Sequence, residues 1–210
     1  AVFGDVHANL IALETFLRRV EPVAEAYVCL GDTVDYGPWN DECLERVIGL
    51  PGVSMIEGNH ERLFRGAEPV EGEIELVQAF FHASRASFSR PDLIDSLPTS
   101  HTLGRYTCVH TLESRRVFAD TDITPPADSI IGHSHYQYRI ERGGKTIVNP
   151  GSVGQNRHRI DRVEYALYDT DRDEFTFESV PYDIDRFLQD RAHELRAASF
   201  NPASLASSRA

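Results

Sequence analysis

Residues 2–32 read VFGDVHANLIALETFLRRVEPVAEAYVCLGD, and this stretch decides the fold class. Two short apolar runs, each followed by Gly-Asp, flank a segment whose apolar residues recur at helical spacing. Asn9 stands where the N-cap of that helix is expected. A helical segment at 40–50 and an apolar run at 53–60 continue the alternation. Strand, helix, strand, helix and strand in this order predict a layered α/β fold.

The remainder of the chain predicts a second group of strands and two further helices. Helical spacing recurs at 73–88 and at 184–198, and 90–98 is typical of a short helix or turn. Runs rich in β-branched and aromatic residues predict strands, with a hairpin formed by the last two, at 106–110, 129–133, 146–151, 163–169 and 174–180. The sequence predicts a single domain over residues 1–200 and a loose C-terminal tail over 201–210.

Composition narrows the class of protein. The chain has 210 residues, of which 41% are hydrophobic, enough for one sizeable core. No apolar run approaches the roughly 20 residues of a membrane helix. The net charge of −12 argues against an extended nucleic-acid surface. The three cysteines, Cys29, Cys43 and Cys108, form no paired motif, which predicts reduced, buried thiols and a cytoplasmic protein.

Polar side chains follow the ends of five predicted strands. Carboxyl ends of strands in open α/β sheets share one crevice, so we expect these side chains to converge there. Carboxylate, imidazole and amide oxygen suit Mn, Fe, Ni or Zn. Seven candidate ligands are too many for one ion and suit two ions that share a carboxylate, for which Asp32 is the natural choice. The predicted metal ligands are Asp5, His7, Asp32, Asn59, His110, His133 and His135.

Five motifs in order resemble one known family. The motifs GDVHAN, GDTVDYG, GNHE, VHT and GHSH span residues 4–135. Each is short, but together they resemble the calcineurin-like metallophosphoesterase superfamily, in which D-x-H, G-D-x-x-D, G-N-H-[DE], a lone His and G-H-x-H occur in this order. The segment NPGSVGQNR is similar to one found in small bacterial phosphodiesterase-type members, and extends the resemblance to Arg157.

The resemblance implies a role for each residue. It assigns the first metal to Asp5, His7, Asp32 and His135. It assigns the second metal to Asp32, Asn59, His110 and His133. It makes His60 a catalytic residue that assists the leaving group without binding metal, with Asp35 or another carboxylate as its neighbour. Hydroxide bridging the two ions would attack the phosphorus in line.

The family further implies a four-layer α/β/β/α sandwich and two divalent transition-metal ions, with manganese the first expectation. It implies a hydrolase acting on phosphate ester bonds. Phosphodiesters or small nucleotides are the expected substrates, with phosphomonoesters as the alternative. A protein-binding scaffold is a further alternative, because the retromer complex contains a member of this fold with degenerate metal positions. The complete ligand set argues against that alternative.

Two positions depart from family patterns. The related protein phosphatases carry a phosphate-binding arginine in the G-D-x-V-D-R-G motif, where this chain has Tyr36. The loss of that bidentate clamp argues against protein phosphatase activity and against diadenosine tetraphosphate hydrolysis of that branch. Thr111 follows His110 where glycine is usual, which bears on the geometry of the second metal. Arg157 is equally compatible with a phosphate contact and with a structural role, and residues 61–98 are expected to influence substrate choice.

Overall fold

The computed structural model describes residues 1–72 and 74–199, so the predicted tail at 201–210 lies outside the described residues. Within them the chain forms five α-helices and ten strands. The helices are α1 (Leu10–Val20), α2 (Asn40–Ile48), α3 (Asn59–Phe64), α4 (Glu75–Arg85) and α5 (Ile184–Ser199). The strands are β1 (Val2–Phe3), β2 (Tyr27–Cys29), β3 (Val53–Met55), β4 (Ser100–Leu103), β5 (Tyr106–Val109), β6 (Ser129–Ile130), β7 (Gln137–Arg142), β8 (Lys145–Pro150), β9 (Arg162–Asp169) and β10 (Glu174–Pro181).

The strands form two five-stranded mixed sheets. The first has the order β10-β9-β1-β2-β3, and the second has the order β4-β5-β6-β8-β7. In the first sheet β1, β2 and β3 are parallel, while β9 and β10 form the predicted antiparallel hairpin. In the second sheet β5, β6 and β8 are parallel. The polar segments that follow β1, β2, β3, β5 and β6 are therefore at the carboxyl ends of parallel strands.

Apolar residues fill the space between the sheets and on one outer face. In the cluster between the sheets, Val28 of β2 and Leu30, which directly follows β2, pack with Cys108 of β5 and Ile130 of β6. Helix α1 buries Leu13 and its apolar neighbours in a larger cluster on the other face of the first sheet. The predicted sandwich of two sheets and helices is confirmed. It forms because the first sheet has apolar residues on both faces, and both faces must be covered by other elements.

The outer face of the second sheet is covered differently. Leu112, Val117 and Ile123, from the connection between β5 and β6, pack against Ile131 and Ile147. No described helix contributes to this cluster. An irregular segment, residues 111–128, therefore fills the place of a helical fourth layer, and it also reaches the edge where the polar segments meet.

The third predicted strand is shorter than its apolar run suggests. Strand β3 ends at Met55, and Asn59 already begins α3. Gly58 is the N-cap residue, and the Glu61 side chain accepts a hydrogen bond from its backbone N–H. This capping arrangement is a helix start signal, and it turns the GNHE motif from strand into helix.

The cysteines have the environment that the sequence predicts. All three are buried and unpaired. Burial raises the pKa of the Cys29 and Cys108 thiols to about 12. Among the described residues there is no helix with the length and apolar character needed to cross a bilayer.

Candidate metal centre

The structure brings the seven predicted ligands together at the carboxyl ends of the strands. Asp5, His7 and His135 offer ligand atoms that all lie within 4.8 Å of one another. Asp32, His110 and His133 do the same. Each of these two groups is part of one of the two ligand sets that the resemblance implies, and a third group of the same kind joins His7 and Asp32 to His60. The motifs, which span 131 positions along the chain (5 to 135), are thus one cluster in space.

The first group consists of hydrogen-bond acceptors facing one another. Nδ1 of His7 lies 3.3 Å from the Val34 carbonyl, and Nδ1 of His135 lies 2.7 Å from the Gln155 carbonyl. A carbonyl only accepts, so each Nδ1 carries a proton, and in the Nδ1–H tautomer each ring presents a bare Nε2. The two Nε2 atoms are 3.1 Å apart, and Nε2 of His135 is 3.3 Å from Asp5 Oδ1. Lone pairs arranged in this way fit a cation, and backbone carbonyls often orient metal-binding imidazoles.

The second group centres on Asp32. Its Oδ2 is buried and no described residue hydrogen-bonds to it. Nε2 of His110 lies 3.1 Å from this oxygen and 3.0 Å from Asn59 Oδ1, while its Nδ1 donates to the Leu30 carbonyl at 2.7 Å. An orphaned carboxylate oxygen beside an imidazole and an amide oxygen also fits a divalent cation.

The protonation states of two imidazoles support this interpretation, and that of a third, His110, opposes it. Burial, followed by the neighbouring His135, holds the pKa of His7 well below its ordinary value. Burial and His110 lower the pKa of His133 to about 4. Both rings are therefore neutral at pH 7, as metal ligands must be. Burial lowers the pKa of His110 as well, but Asp32 outweighs it and raises that pKa to about 9. A metal ion on His110 would have to displace this proton.

The backbone around these residues is strained. Positive φ values are rare outside glycine, and they cluster at functional sites. Five of the seven predicted ligands have them, at Asp5 (52°), His7 (49°), Asp32 (54°), His133 (66°) and His135 (63°). The fold therefore maintains these side chains in place at a cost in local conformational energy.

Two loops of the centre are joined by one buried carboxylate. Glu61 accepts hydrogen bonds from the backbone N–H groups of Asp32 (2.7 Å), Thr33 (2.6 Å) and Gly58 (2.7 Å). Burial and the nearby Asp32 charge raise the pKa of Glu61, and its backbone hydrogen bonds oppose this. The sequence shows Glu61 only as part of a motif, while the structure shows that it fixes the β2 and β3 loops relative to each other.

His60 differs from the other imidazoles of the centre. Its Nδ1–H donates to Asp35 Oδ2 at 2.8 Å, and its Nε2 lies 3.9 Å from Asp32 Oδ2. Burial lowers the pKa of His60, but Asp32 and Asp35 together hold it above its ordinary value. Of the neighbours left open by the sequence, Asp35 is the one that orients this ring. A raised pKa favours the doubly protonated ring, which is the form with a proton on the nitrogen that faces the centre.

A cavity of about 190 Å³ opens above these groups. It is lined by Asp32, Tyr36, Asn59, His60, Val77, Arg116, His133, His135 and Arg157. Arg116 and Arg157 have no hydrogen-bond or ion-pair partner among the described residues. The sequence leaves the role of Arg157 open, and it gives no signal for Arg116, because no motif surrounds that residue.

Comparison with known proteins identifies the family. The sequence profile of the calcineurin-like phosphoesterase superfamily domain matches residues 1–173. The chain belongs to this superfamily. It is accordingly a hydrolase that acts on phosphate ester bonds, and its His and Asp clusters are suited to divalent metal ions.

Individual relatives of this phosphoesterase span nearly all of its length. An uncharacterised protein of Methanocaldococcus jannaschii is 26% identical over an alignment of 214 positions, gaps included, that covers 88% of each chain. A metallophosphoesterase structure from Sphaerobacter thermophilus is 25% identical, with a TM-score of 0.73 and coverage of 96% of this chain and 95% of that one. A hypothetical protein from Pyrococcus horikoshii shares the fold, with 19% identity, a TM-score of 0.79 and 92% of each chain covered.

Proposed function

We propose that this phosphoesterase hydrolyses phosphodiesters or small nucleotides at a dinuclear metal centre. The first ion would be held by Asp5, His7, Asp32 and His135. The second would be held by Asp32, Asn59, His110 and His133. The observation that carries the proposal is the buried cluster of carboxylates and imidazoles beneath the 190 Å³ cavity, because carboxylate and imidazole groups brought this close together suit divalent cations. The unpaired thiols support a cytoplasmic location.

Bound divalent ions of this kind lower the pKa of a coordinated water and neutralise charge on a phosphoryl group. The protein supplies the remaining requirements. Asp35 orients the His60 ring, so that Nε2 can donate a proton to the oxygen that leaves phosphorus. Burial and the Asp35 charge raise the pKa of Tyr36 to about 12, so its hydroxyl stays neutral beside the substrate.

Arg116 and Arg157 support an anionic substrate. Eight described arginines of this acidic chain pair with carboxylates, as Arg46 does with Glu14 and Glu21. The two arginines of the cavity have no such partner, and each influences the ionisation of Tyr36 between them. Guanidinium groups bind phosphate oxygens with two parallel hydrogen bonds, which suits the oxygens not taken up by the metals.

The direct test is hydrolysis of bis-p-nitrophenyl phosphate and p-nitrophenyl phosphate by chelator-treated protein. Manganese, iron, nickel and zinc would each be added back separately. We expect turnover to return with metal, manganese being the first candidate, and to be faster for the diester. Turnover of the monoester alone would identify a phosphatase, and failure with every metal on both esters would contradict the proposal for these substrates.

A further inference from the structure

Tyr36 connects the candidate metal centre to a second cavity. Its ring centre is 4.8 Å from that of His7 and 4.8 Å from that of His60. On its other side the ring meets Phe80 edge-on at 5.5 Å. Tyr36 has a positive φ of 64°, an unfavourable conformation for a bulky residue. Protein phosphatases have a phosphate-binding arginine at this position. Here the Tyr36 ring forms a wall between the candidate metal centre and the second cavity, and its positive φ costs conformational energy.

The second cavity lies beyond this wall and measures about 180 Å³. Its apolar and aromatic walls come from Tyr36, Phe80, Ile160, Tyr182, Phe187 and Leu188. Ile160 is 65% exposed and Leu188 is 50% exposed, so two large apolar side chains stand in solvent at its rim. Exposed apolar residues grouped around a concave site, unlike scattered ones, indicate a binding surface.

The side-chain amide oxygen of Gln155 lies in this cavity, which is also lined by the Arg191 guanidinium, 5.1 Å from the centre of the Phe80 ring. Gln155 lines the cavity, and its Oε1 is shielded from solvent with no hydrogen-bond donor among the described residues. The backbone carbonyl of the same residue accepts the Nδ1–H of His135. Gln155 therefore links the second cavity to the candidate metal centre. A buried amide oxygen without a donor is costly, and an N–H group of a ligand would satisfy it.

We propose that this second cavity is a subsite for the planar base of a nucleotide substrate. This inference rests on the proposed function, because it places the phosphate of the same molecule at the candidate metal centre. Aromatic walls recognise bases by stacking, and a single amide oxygen recognises their N–H groups. The two cavities share Tyr36, and together they reach the roughly 300–1,000 Å³ of a small-ligand site. The second alone is sized for one ring system.

The test uses two diesters with the same leaving group. Thymidine 5′-(p-nitrophenyl phosphate) and methyl p-nitrophenyl phosphate both release p-nitrophenolate, so only the second substituent differs. We expect the manganese-loaded protein to show a KM about tenfold lower for the thymidine ester. Leu188→Ser and Ile160→Ser should each raise that KM about three- to tenfold and leave the methyl ester unchanged.

Val23→Ser is the matched control, because Val23 is 63% exposed and lies in the connection from α1 to β2, outside both cavities. Equal KM values for the two esters in the wild-type protein would overturn the subsite. Equal effects of the rim variants on both esters would also overturn it. A self-association that the rim variants abolish, with the ratio of KM values unchanged, would show instead that the rim binds a second copy.

A binding measurement separates this inference from the proposed function. Calorimetry on the zinc-loaded protein would compare thymidine 5′-monophosphate with ribose 5-phosphate, which have similar charges. Tighter binding of the nucleotide, weakened by Leu188→Ser, supports the subsite even if neither diester is hydrolysed. Equal affinities would reject the subsite even if both diesters are hydrolysed.

Discussion

Asp32 and His60 lie close together but have different chemistry. Asp32 Oδ2 is the buried, unpartnered oxygen that faces His7, His60 and His110. His60 has its Nδ1 committed to Asp35 and keeps its Nε2 farther from Asp32 than His110 does. A carboxylate at the meeting point of two ligand sets should affect metal content, while an oriented imidazole at the rim should affect turnover.

We therefore expect Asp32→Asn to lower the metal content of the purified protein, because the amide has lost the negative charge of the bridging position. His60→Ala should retain the metal and lose kcat by about 10²–10⁴-fold, the usual contribution of a general acid. Elemental analysis would measure the metal content of the two variants, and steady-state kinetics would measure their kcat. An empty site in His60→Ala together with a full site in Asp32→Asn would reverse the assignment.

Gly58 shows how tightly the two loops approach. A Cβ at this position would lie 2.0 Å from Asp32 Oδ1 and 2.5 Å from the Asp32 backbone nitrogen. Gly58→Ala must therefore displace the Asp32 carboxylate, and we expect reduced metal content and a loss of about 1–3 kcal/mol in the free energy of unfolding. Elemental analysis and urea denaturation would measure both quantities.

Gly72→Ala is the matched control for Gly58→Ala. Apart from its chain neighbours, no described residue has a heavy atom within 4 Å of a Cβ at Gly72, so the effect of Gly72→Ala should stay within about 0.5 kcal/mol. If the two variants kept the same metal content and stability, the close packing of the β2 and β3 loops would not be needed for the centre.

At the scale of elements, Asn9 both caps the start of α1 and joins this helix to two segments much later in the chain. Its Oδ1 accepts the N–H of Ala12 at 3.1 Å, as predicted for an N-cap. Its Nδ2 donates to the Gly154 carbonyl at 2.9 Å and to the Tyr182 hydroxyl at 3.2 Å. A residue that the sequence identifies as a local cap thus also makes contacts about 150 positions away.

Asn9→Ala should therefore lower the free energy of unfolding by about 2–3 kcal/mol, more than the usual loss of an N-cap side chain alone. Asn9→Ser keeps an oxygen for the cap but loses both donations, and it should cost about 1 kcal/mol less. Urea denaturation in the presence of chelator measures the two variants without a contribution from bound metal. Equal losses for both would show that the cap itself contributes nothing.

The cavity arginines come from two separate connections, Arg116 from the β5–β6 segment and Arg157 from the β8–β9 segment. We expect Arg116→Ala and Arg157→Ala each to raise KM for a phosphate ester by about 10–100-fold, because each removes a charge-assisted contact. Arg139→Ala, on exposed β7 and outside the cavity, is the control. Steady-state kinetics on bis-p-nitrophenyl phosphate would contradict this role if all three variants behaved alike.

The sequence predicts elements well where the signal is local. Helix α1 and the β9–β10 hairpin follow from spacing and turn residues that lie within the segments themselves. Strand β4 was not predicted, because its short, polar sequence is typical of an edge strand rather than of a buried one. Strand β7 is not predicted for a related reason, because its two arginines mask the alternation of apolar and polar residues. Only its antiparallel pairing with β8 shows it to be a strand.

The candidate site divides in the same way. Asp5, Asp32 and His133 belong to motifs of a few residues, so the sequence alone indicates them, although their ligand roles stay predictions. Arg116 depends on how residues 111–128 fold over the second sheet, which no short pattern encodes. The sequence shows that residue 36 is a tyrosine rather than an arginine, but it does not show that the Tyr36 ring contacts Phe80.

For the whole molecule, the candidate metal centre lies where the two sheets meet. Asp5, His7 and Asp32 follow strands of the first sheet, while His110 and His133 follow strands of the second. Metal ions held by both groups would connect the sheets. Metal binding should therefore stabilise the folded state as a whole rather than one loop.

Metal at a hundredfold excess over its dissociation constant should add about 2.7 kcal/mol to the free energy of unfolding. For a chain of this size that corresponds to a rise in Tm of roughly 5–11 °C. Calorimetric scans of chelator-treated protein with and without manganese would measure it, and Asp32→Asn should reduce the rise. Because both sheets contribute ligands, the transition should stay single. A rise of equal size in Asp32→Asn would mean that the stabilising ion binds elsewhere, and the candidate centre would then not be the site that connects the sheets.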